Sequence, residues 1–274
     1  MGLGIALVAA REARTPVRLI DSSQKAIDKG LLFLDGLLQK DVKRERISSA
    51  QASEILGRID TSTTMDRLGD VDMVIEAVPE SPELKTSIFR QLANICSSDT
   101  VLATNTSSIS ITKIAAAAGP NAASRVIATH FMNPVPVQKG VEVIVGLQTS
   151  EETVKRARDF CERMGKIVSI SQDSPGFIAN RILMPYINEA IICLETGVGD
   201  KESIDGIMKN GCAMPMGPLA LADFIGLDTC LSIMRVLHRE TGDSKYRSSI
   251  LLAKMVDAGW LGKKSGKGFY EYNE

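Results

Sequence analysis

At 274 residues the chain can form one large domain or two ordinary ones, and hydrophobic residues make up 44% of it, enough for a substantial core. A formal net charge of −1 argues against a nucleic-acid-binding surface, two histidines argue against a histidine-rich metal site, and no apolar run reaches the length of a membrane span. Five scattered cysteines without a C-x-x-C pair are typical of reduced thiols. We therefore expect a soluble protein of a reducing compartment, with no bound metal.

The first 172 residues alternate between segments with strand spacing and segments with helix spacing. Val17-Arg18-Leu19-Ile20 is typical of a strand, and the helix predicted from Gln24 to Lys40 has leucines three to four residues apart at 31, 34, 37 and 38. The other predictions are helices over 5–10 and 83–93 and strands over 72–77, 100–104, 125–129, 141–145 and 167–169. Repeated strand–helix–strand units predict an α/β fold with a mostly parallel, doubly wound sheet of the Rossmann type.

The pattern changes at the turn Asp173-Ser174-Pro175-Gly176, after which it is helical nearly to the end. We predict a dinucleotide-binding domain over residues 1–172 and an all-helical domain over residues 173–274. The segment from Ile178 to Glu195 carries an apolar stripe that is wide for a helix with one exposed face. This width predicts burial on two sides and a homodimer formed through the helical domain.

The chain begins with glycines, a helix of small residues and a strand that ends at Asp21. This order is typical of the second half of a dinucleotide-binding unit, without the apolar strand that opens such a unit. An acid at the position of Asp21 accepts hydrogen bonds from the ribose hydroxyls and repels a 2′-phosphate, which predicts NAD rather than NADP. The alternative is a turn aspartate, with Asp21-Ser22-Ser23 forming a turn and a helix N-cap.

The missing opening strand would be central in a doubly wound sheet. Its two neighbours would lose hydrogen-bond partners, and apolar surface would be uncovered on both faces of the sheet. We therefore expect residues 1–274 by themselves to bind NAD poorly and to be unstable. An upstream segment with an apolar strand and a glycine turn is expected to restore both properties.

The segment THFMNPVPVQKGVEVIVG, from Thr129 to Gly146, is the most informative for chemistry. His130 is predicted to follow a strand directly, and Glu142 to lie near the start of the next one. The connection is too short for a helical crossover, which predicts an antiparallel return that brings Glu142 close to His130. A carboxylate on one imidazole nitrogen leaves the other nitrogen to transfer a proton. The alternative is a purely structural histidine.

Three weaker patterns complete the set. NTSSISIT, from Asn105 to Thr112, follows a strand at its carboxyl end, where open α/β sheets bind ligands, although Asn105, Ser107 and Ser108 are equally typical of a helix N-cap. The basic run from Lys40 to Arg46 fits a solvated helix end or a phosphate-bearing ligand. GKKSGKG, from Gly262 to Gly268, lacks the spacing of a phosphate-binding loop.

Several longer segments carry a resemblance to a known family. They are VIEAVPESPELK, ATNTSSISIT, THFMNPVPVQKGVEVI, DSPGFIANRILMPYINEA, GCAMPMGPLALADFIGLD and GKKSGKGFYEY. Over almost its whole length the chain resembles the L-3-hydroxyacyl-CoA dehydrogenases, including the 3-hydroxybutyryl-CoA enzymes. The resemblance implies NAD-dependent oxidation of a short L-3-hydroxyacyl-CoA to the 3-oxoacyl-CoA in fatty acid metabolism and β-oxidation. It leaves the bacterial cytoplasm and the mitochondrial matrix both open.

The resemblance also implies roles for individual residues. His130 is similar to the family's general base, Glu142 to its carboxylate partner, and Ser107 and Asn180 to the pair that contacts the substrate. Arg44 is implied to contact coenzyme A. The implied cofactor contacts are Gly2, Asp21, Glu80, Lys85, Ser107, Asn133 and Lys264.

The chain departs from the family pattern at three places. Leu37 replaces a serine thought to touch coenzyme A, and Gly140 replaces a large apolar residue, which is expected to loosen the turn before Glu142. Of the glycine fingerprint only its third glycine remains, as Gly2. Because of this last departure, a non-catalytic remnant that binds acyl-CoA or dimerises stays open as an alternative. A related dehydrogenase of hydroxy acids is the other.

Overall fold

The computed structural model describes residues 1–272 and divides into two compact units, with the division between Asp173 and Ser174. The first unit alternates helices and strands, and the second is helical. Within residues 1–272, every helix is either too short or too polar to span a lipid bilayer.

The first unit contains six helices and seven strands within its described residues. The helices are α1 (Gly2–Arg11), α2 (Gln24–Lys43), α3 (Ser49–Gly57), α4 (Pro82–Ile95), α5 (Ile111–Ala118) and α6 (Glu151–Arg163). The strands are β1 (Val17–Ile20), β2 (Ile59–Ser62), β3 (Met73–Glu76), β4 (Val101–Thr104), β5 (Val126–Phe131), β6 (Gly140–Val145) and β7 (Ile167–Gln172). Short 3-10 turns lie at Met65–Leu68 and Ala123–Arg125.

The strands form two hydrogen-bonded sheets. β1 and β2 pair in parallel, and the other five follow the order β3-β4-β5-β6-β7. In this larger sheet only the β5–β6 pair is antiparallel. The antiparallel return predicted between His130 and Glu142 is confirmed. Among residues 1–272, no strand joins β1 to β3.

Burial explains why β4 and β5 lie at the centre of the larger sheet. Every residue of β4 and β5 is buried, whereas the four residues of β1 are only partly buried. Parallel strands covered on both faces have this continuous apolar character. Helix α1 packs through Ile5, Val8 and Ala9 against a core that includes Phe131 and Val141. The strands that carry His130 and Glu142 are therefore among the most rigidly packed in the unit.

The second unit is built from α7 (Ala179–Glu195), α8 (Lys201–Asn210), α9 (Pro218–Ile225), α10 (Leu227–Thr241) and α11 (Ile250–Asp257), with 3-10 turns at Ser244–Tyr246 and Lys263–Ser265. Asp223 of α9 is 1% exposed and accepts hydrogen bonds from the N–H groups of Phe269 and Tyr270 and from the hydroxyl of Tyr272. The Cα of Asp223 lies so close to Gly262 that a Cβ there would come within 2.6 Å of it, which explains the glycine at this contact. The carboxylate thus fastens the C-terminal segment to α9.

Two elements were absent from the sequence prediction, and one boundary was wrong. α3 and β2 were not predicted; in β2 only Ile59 is buried, so the segment lacks the apolar run typical of a strand. His130 was placed just after a strand, but it lies within β5, whose pairing with β6 extends the strand to Phe131. This correction matters because a side chain on a strand is held more firmly than one on a loop.

Candidate functional site

The centre of the candidate site is a cross-strand pair in the larger sheet. His130 and Glu142 are register partners on antiparallel β5 and β6, and partners of this kind have Cβ atoms about 5 Å apart on the same face. His130 Nδ1 lies 3.0 Å from Glu142 Oε2, and both residues are nearly buried. A carboxylate at Nδ1 holds the proton on that nitrogen and stabilises the imidazolium, so Nε2 is the nitrogen that can exchange a proton with a ligand.

Ser107 lies at that second nitrogen. Its Oγ is 3.2 Å from His130 Nε2. Ser107 belongs to the connection between β4 and α5, at the carboxyl end of a parallel strand, where open α/β sheets bind their ligands. The sequence left a helix N-cap open for this segment, and Ser110, rather than Ser107 or Ser108, caps α5. The three residues Ser107, His130 and Glu142 are therefore together in the first unit.

Glu80 holds the loop that carries Ser107. One of its oxygens, Oε1, accepts hydrogen bonds from the Thr106 hydroxyl at 2.5 Å, from the Ser107 N–H at 2.8 Å and from the Ser108 N–H at 3.0 Å. Burial by itself would raise the pKa of Glu80, but these hydrogen bonds and the charge of Lys85 outweigh it and lower the pKa below its ordinary value. Glu80 is therefore a carboxylate with its loop donors already in place.

Lys85 and Glu76 form a buried ion pair behind Glu80. The Lys85 ammonium is 2.8 and 3.0 Å from the two oxygens of Glu76 and 3.4 Å from Glu80 Oε2. Glu76 also accepts hydrogen bonds from the Val78 N–H and the Thr104 hydroxyl. The structure thus places Lys85 inside the protein, with a fully buried side chain, against two carboxylates.

The residues expected at the adenine end of a cofactor lie elsewhere in the first unit. Asp21 is exposed directly after β1, and its Oδ1 accepts a hydrogen bond from the Ser23 N–H, as in the turn that the sequence left open. Ser23 in turn caps α2. Gly2 is the first residue of α1, and Arg44 is exposed at the end of α2.

Two asparagines near the site differ in exposure. Asn105 Oδ1 accepts a hydrogen bond from the Phe131 N–H, and so joins the ends of β4 and β5 beside His130. Asn133 is exposed in the connection between β5 and β6, where its peptide bond to Pro134 is cis. The same connection is held from below by Lys166, whose ammonium donates to the carbonyl groups of Val135 and Gln138.

The two remaining predicted residues lie in the second unit. Asn180 is the second residue of α7 and is 9% exposed. Lys264 lies in the 3-10 turn after α11, and its Nζ is 2.7 Å from Asp228 Oδ2.

The departures from the family pattern have simple packing explanations. Leu37 packs against the core formed by α1, α2 and α3, so an apolar side chain is stabilised at this position. A Cβ at Gly140 would have no atom within 4 Å, and Gly140 pairs with Ile167 across β6 and β7. Glycine therefore leaves no packing gap before Glu142.

Sequence reasoning missed Glu76. It stands in VIEAVPESPELK, where it was assigned only to a strand. An acidic residue at the end of an otherwise apolar strand, nine residues before a lysine in the first turns of a helix, is the signal that could have found it. Charged residues are almost never fully buried unless they are paired.

Comparison with known proteins agrees with this geometry. Residues 1–174 match the family model of the NAD binding domain of 3-hydroxyacyl-CoA dehydrogenase, and residues 176–272 match the model of its C-terminal domain. A probable 3-hydroxybutyryl-CoA dehydrogenase of Bacillus subtilis (strain 168) is 52% identical over 274 residues, which covers 100% of this chain and 94% of the relative. The 3-hydroxybutyryl-CoA dehydrogenase of Bradyrhizobium diazoefficiens is 47% identical over 272 residues, with coverages of 99% and 92%.

A solved structure gives the same result. The crystal structure of (S)-3-hydroxybutyryl-CoA dehydrogenase from Ralstonia eutropha has a TM-score of 0.96 and 45% sequence identity to this chain, and the alignment covers 100% of this chain and 96% of that one. The two family models together cover nearly all of the described residues. The chain therefore belongs to the 3-hydroxyacyl-CoA dehydrogenase family, an oxidoreductase family whose N-terminal domain binds NAD.

Proposed function

We propose that this NAD-dependent oxidoreductase oxidises the 3-hydroxyl group of a short L-3-hydroxyacyl-CoA, such as 3-hydroxybutyryl-CoA, to the 3-oxoacyl-CoA. The observation that carries the proposal is the line of side chains from Glu142 through His130 to Ser107. It ends in a hydroxyl and an imidazole nitrogen at the carboxyl end of β4, where an alcohol can be held and deprotonated. The names of the relatives at 47% and 52% identity supply the substrate class.

The residues of the first unit fit NAD. An exposed carboxylate at the end of β1 suits the two hydroxyls of a ribose, and the next two residues, Ser22 and Ser23, provide no cation for a 2′-phosphate. Asp21 would hold the ribose, and Gly2 lies at the start of α1, where a side chain would crowd an approaching ligand. When bound, NAD accepts the hydride from carbon 3.

The chain's own side chains would manage the proton. With its Nδ1 proton held by Glu142, His130 accepts the hydroxyl proton of the substrate at Nε2 as the carbon–hydrogen bond breaks. Glu142 stabilises the imidazolium that results. Ser107 donates to the substrate oxygen and orients it toward Nε2. A general base of this kind contributes about 10²–10⁴ to the rate.

Further residues are proposed to bind the two ligands. Asn180 would hold the acyl-CoA near His130, and Arg44 would pair with a phosphate of coenzyme A. Asn133, Glu80, Lys85 and Lys264 remain proposed cofactor contacts. For Glu80 and Lys85 the proposal is of an indirect effect, because their charged groups are occupied by protein donors and acceptors.

We also propose a homodimer and a reducing compartment. Ile182 of α7 is 67% exposed, Ile207 of α8 is 63% exposed and Phe224 of α9 is 51% exposed, which is unusual for large apolar side chains. A second copy of the helical unit would cover such surface. All five cysteines lie within the described residues and are free thiols, as expected in a bacterial cytoplasm or a mitochondrial matrix. Light scattering at micromolar concentration tests the dimer, and a stable monomer would contradict it.

The function is tested with a panel of substrates and the appearance of NADH. We expect turnover of L-3-hydroxybutyryl-CoA, much less of its D enantiomer, and none of free 3-hydroxybutyrate. Turnover of the free acid at a comparable kcat/KM would instead indicate a hydroxy-acid dehydrogenase. Binding of acyl-CoA by calorimetry without NADH formation from any member of the panel would indicate a protein that binds but does not react.

A further inference from the structure

Behind the proposed site lies a row of alternating charges within the first unit. Glu76 ends β3, Glu80 lies in the turn that follows, and Lys85 lies in the first turns of α4. Ser81 caps α4 and Pro82 opens it, which fixes how the helix leaves the turn. The three charged side chains therefore converge from a strand end, a turn and a helix start.

The Lys85 ammonium is shared unequally between the two carboxylates. It makes two short contacts with Glu76 and a longer one, at 3.4 Å, with Glu80 Oε2. The Glu76–Lys85 pair is almost completely buried, whereas the Glu80 side chain is 38% exposed. The buried pair is therefore the fixed part of the row, and Glu80 is the part that could turn toward water.

Lys85 and the serine loop contact different oxygens of Glu80. Lys85 is close to Oε2, and Oε1 accepts hydrogen bonds from Thr106, Ser107 and Ser108. An ammonium on Oε2 thus orients the carboxylate so that Oε1 faces the loop. Ser107, held by its own N–H in this way, lies with its hydroxyl at His130 Nε2.

We propose that Glu76 and Lys85 are positioning residues, whose ion pair orients Glu80 and through it holds Ser107 beside His130. The inference rests on the proposed function, because that function gives Ser107 and His130 their roles. It assigns to Glu76 a part in the reaction that does not involve contact with either ligand. It also explains why Lys85, a proposed cofactor residue, is buried.

A purely structural pair makes a different prediction from a positioning pair. Removing one partner of a buried ion pair leaves an unpaired buried charge and destabilises the protein, whereas removing both with neutral residues of similar size is often neutral or stabilising. A pair that serves only stability would therefore be restored in function as well as stability by the double change. A pair that orients Glu80 would not, because Glu80 would still lack its cation.

The test compares Glu76→Gln, Lys85→Met and the double variant with the wild type. Three quantities are measured: the melting temperature, kcat and KM with L-3-hydroxybutyryl-CoA and NAD, and hydrogen exchange of the Ser107 and Ser108 amides by NMR. The matched control is Lys155→Met with Asp159→Asn, an exposed lysine–carboxylate pair on α6 at 2.8 Å, for which we expect no change in any of the three.

We expect both single variants to melt at lower temperature, to exchange the Ser107 and Ser108 amides faster, and to lose roughly 10- to 100-fold in kcat, as displacement of a reacting group by about 1 Å does. The double variant should recover most of the melting temperature while kcat stays low and exchange stays fast. Faster exchange confined to residues 105–110 supports the proposal even if the melting temperature is not recovered.

Two results would overturn the proposal. One is a double variant in which kcat and slow exchange return together with the melting temperature. The other is exchange that rises uniformly along the chain instead of at Ser107 and Ser108. The exchange measurement needs no turnover, so a wild type that fails to react with any acyl-CoA would refute the proposed function while the positioning of Ser107 is still decided.

Discussion

Glu142 in the first unit and Asp223 in the second are both carboxylates with little exposure, but their partners differ in kind. Glu142 is paired across two strands with the imidazole of His130. Asp223 accepts hydrogen bonds from two backbone N–H groups and a tyrosine hydroxyl. A histidine can gain or lose a proton near neutral pH, whereas a backbone amide cannot.

This difference separates chemistry from architecture. The carboxylate that faces a histidine can respond to a reaction, and its loss should be felt in turnover. The carboxylate that faces the backbone holds the C-terminal segment, and its loss should be felt in stability. Burial alone would not have distinguished the two, since Glu142 is 5% and Asp223 is 1% exposed.

The largest expected effect is on the first side of this comparison. His130→Gln should leave the fold unchanged and lower kcat by about 10²–10⁴, because it removes the proposed general base. Steady-state kinetics with circular dichroism on the same sample measures both properties. A variant with near-normal kcat would remove His130 from the mechanism.

Glu142→Gln is the matched partner of that experiment. It keeps the shape of the side chain and removes the charge that stabilises the imidazolium, so kcat should fall, though by less than for His130→Gln. A larger fall in melting temperature than in kcat would place Glu142 with Asp223 as an architectural carboxylate.

Asp223→Asn should have the next largest effect, on stability. The amide would turn donor hydrogens toward donors that now meet a carboxylate, and we expect the free energy of unfolding to fall by about 2–3 kcal/mol. Denaturant unfolding measures it, with Asp228→Asn as a control at a more exposed carboxylate of the same unit. An unchanged midpoint for Asp223→Asn would show that the C-terminal segment is held by other contacts.

A smaller effect is expected at Asp21. NAD should be preferred over NADP by at least about tenfold in kcat/KM, since each 1.4 kcal/mol of repulsion between Asp21 and a 2′-phosphate is a factor of ten. In Asp21→Asn this preference should narrow while the melting temperature is unchanged. A wild type that prefers NADP would mean that Asp21 does not face the ribose.

The smallest expected effect is a pair of opposite pH dependences between the two units. Hydrogen bonds and Lys85 lower the pKa of Glu80 below 4.5 against the effect of burial, so its contribution to stability is present above pH 4.5 and is lost as the pH falls. Burial raises the pKa of Asp223 above 3.8, so its folded state is favoured by protonation and its contribution falls as the pH rises above 3.8.

Melting temperatures between about pH 3 and pH 6 test this pair of directions. The difference between wild type and Glu80→Gln should widen as the pH rises, and the difference between wild type and Asp223→Asn should narrow. Parallel changes in the two differences would show that one of the two carboxylates is protonated in the opposite direction.

The sequence was sufficient for the parts of the fold that depend on apolar spacing. β1 was predicted at its observed bounds, and the return from β5 to β6 followed from a connection too short for a helix. β2 could not be predicted in this way, because its four residues gain their strand conformation from pairing with β1 rather than from their own burial. The division of the strands between two sheets likewise depends on pairing across distant segments.

The site was predictable where the partners are close in sequence or carried by a motif. His130 and Glu142 are twelve residues apart on adjacent strands, so pairing them needed only the turn. The contact between Glu80 and the Ser107 loop joins residues 27 apart on separate strand–helix units. Its existence depends on the order of β3 and β4 in the sheet, and no local pattern states that order.

The pairing of His130 with Glu142 has a consequence for protein design. Both side chains belong to strands, and β6 is held in register on its far side by six pairs with β7. Insertions or deletions in the connection over residues 132–139 can therefore be absorbed by the loop without sliding one strand along the other. A base and its carboxylate could be transplanted together as a two-strand module, and the loop between them re-engineered for a different ligand while the module keeps its register.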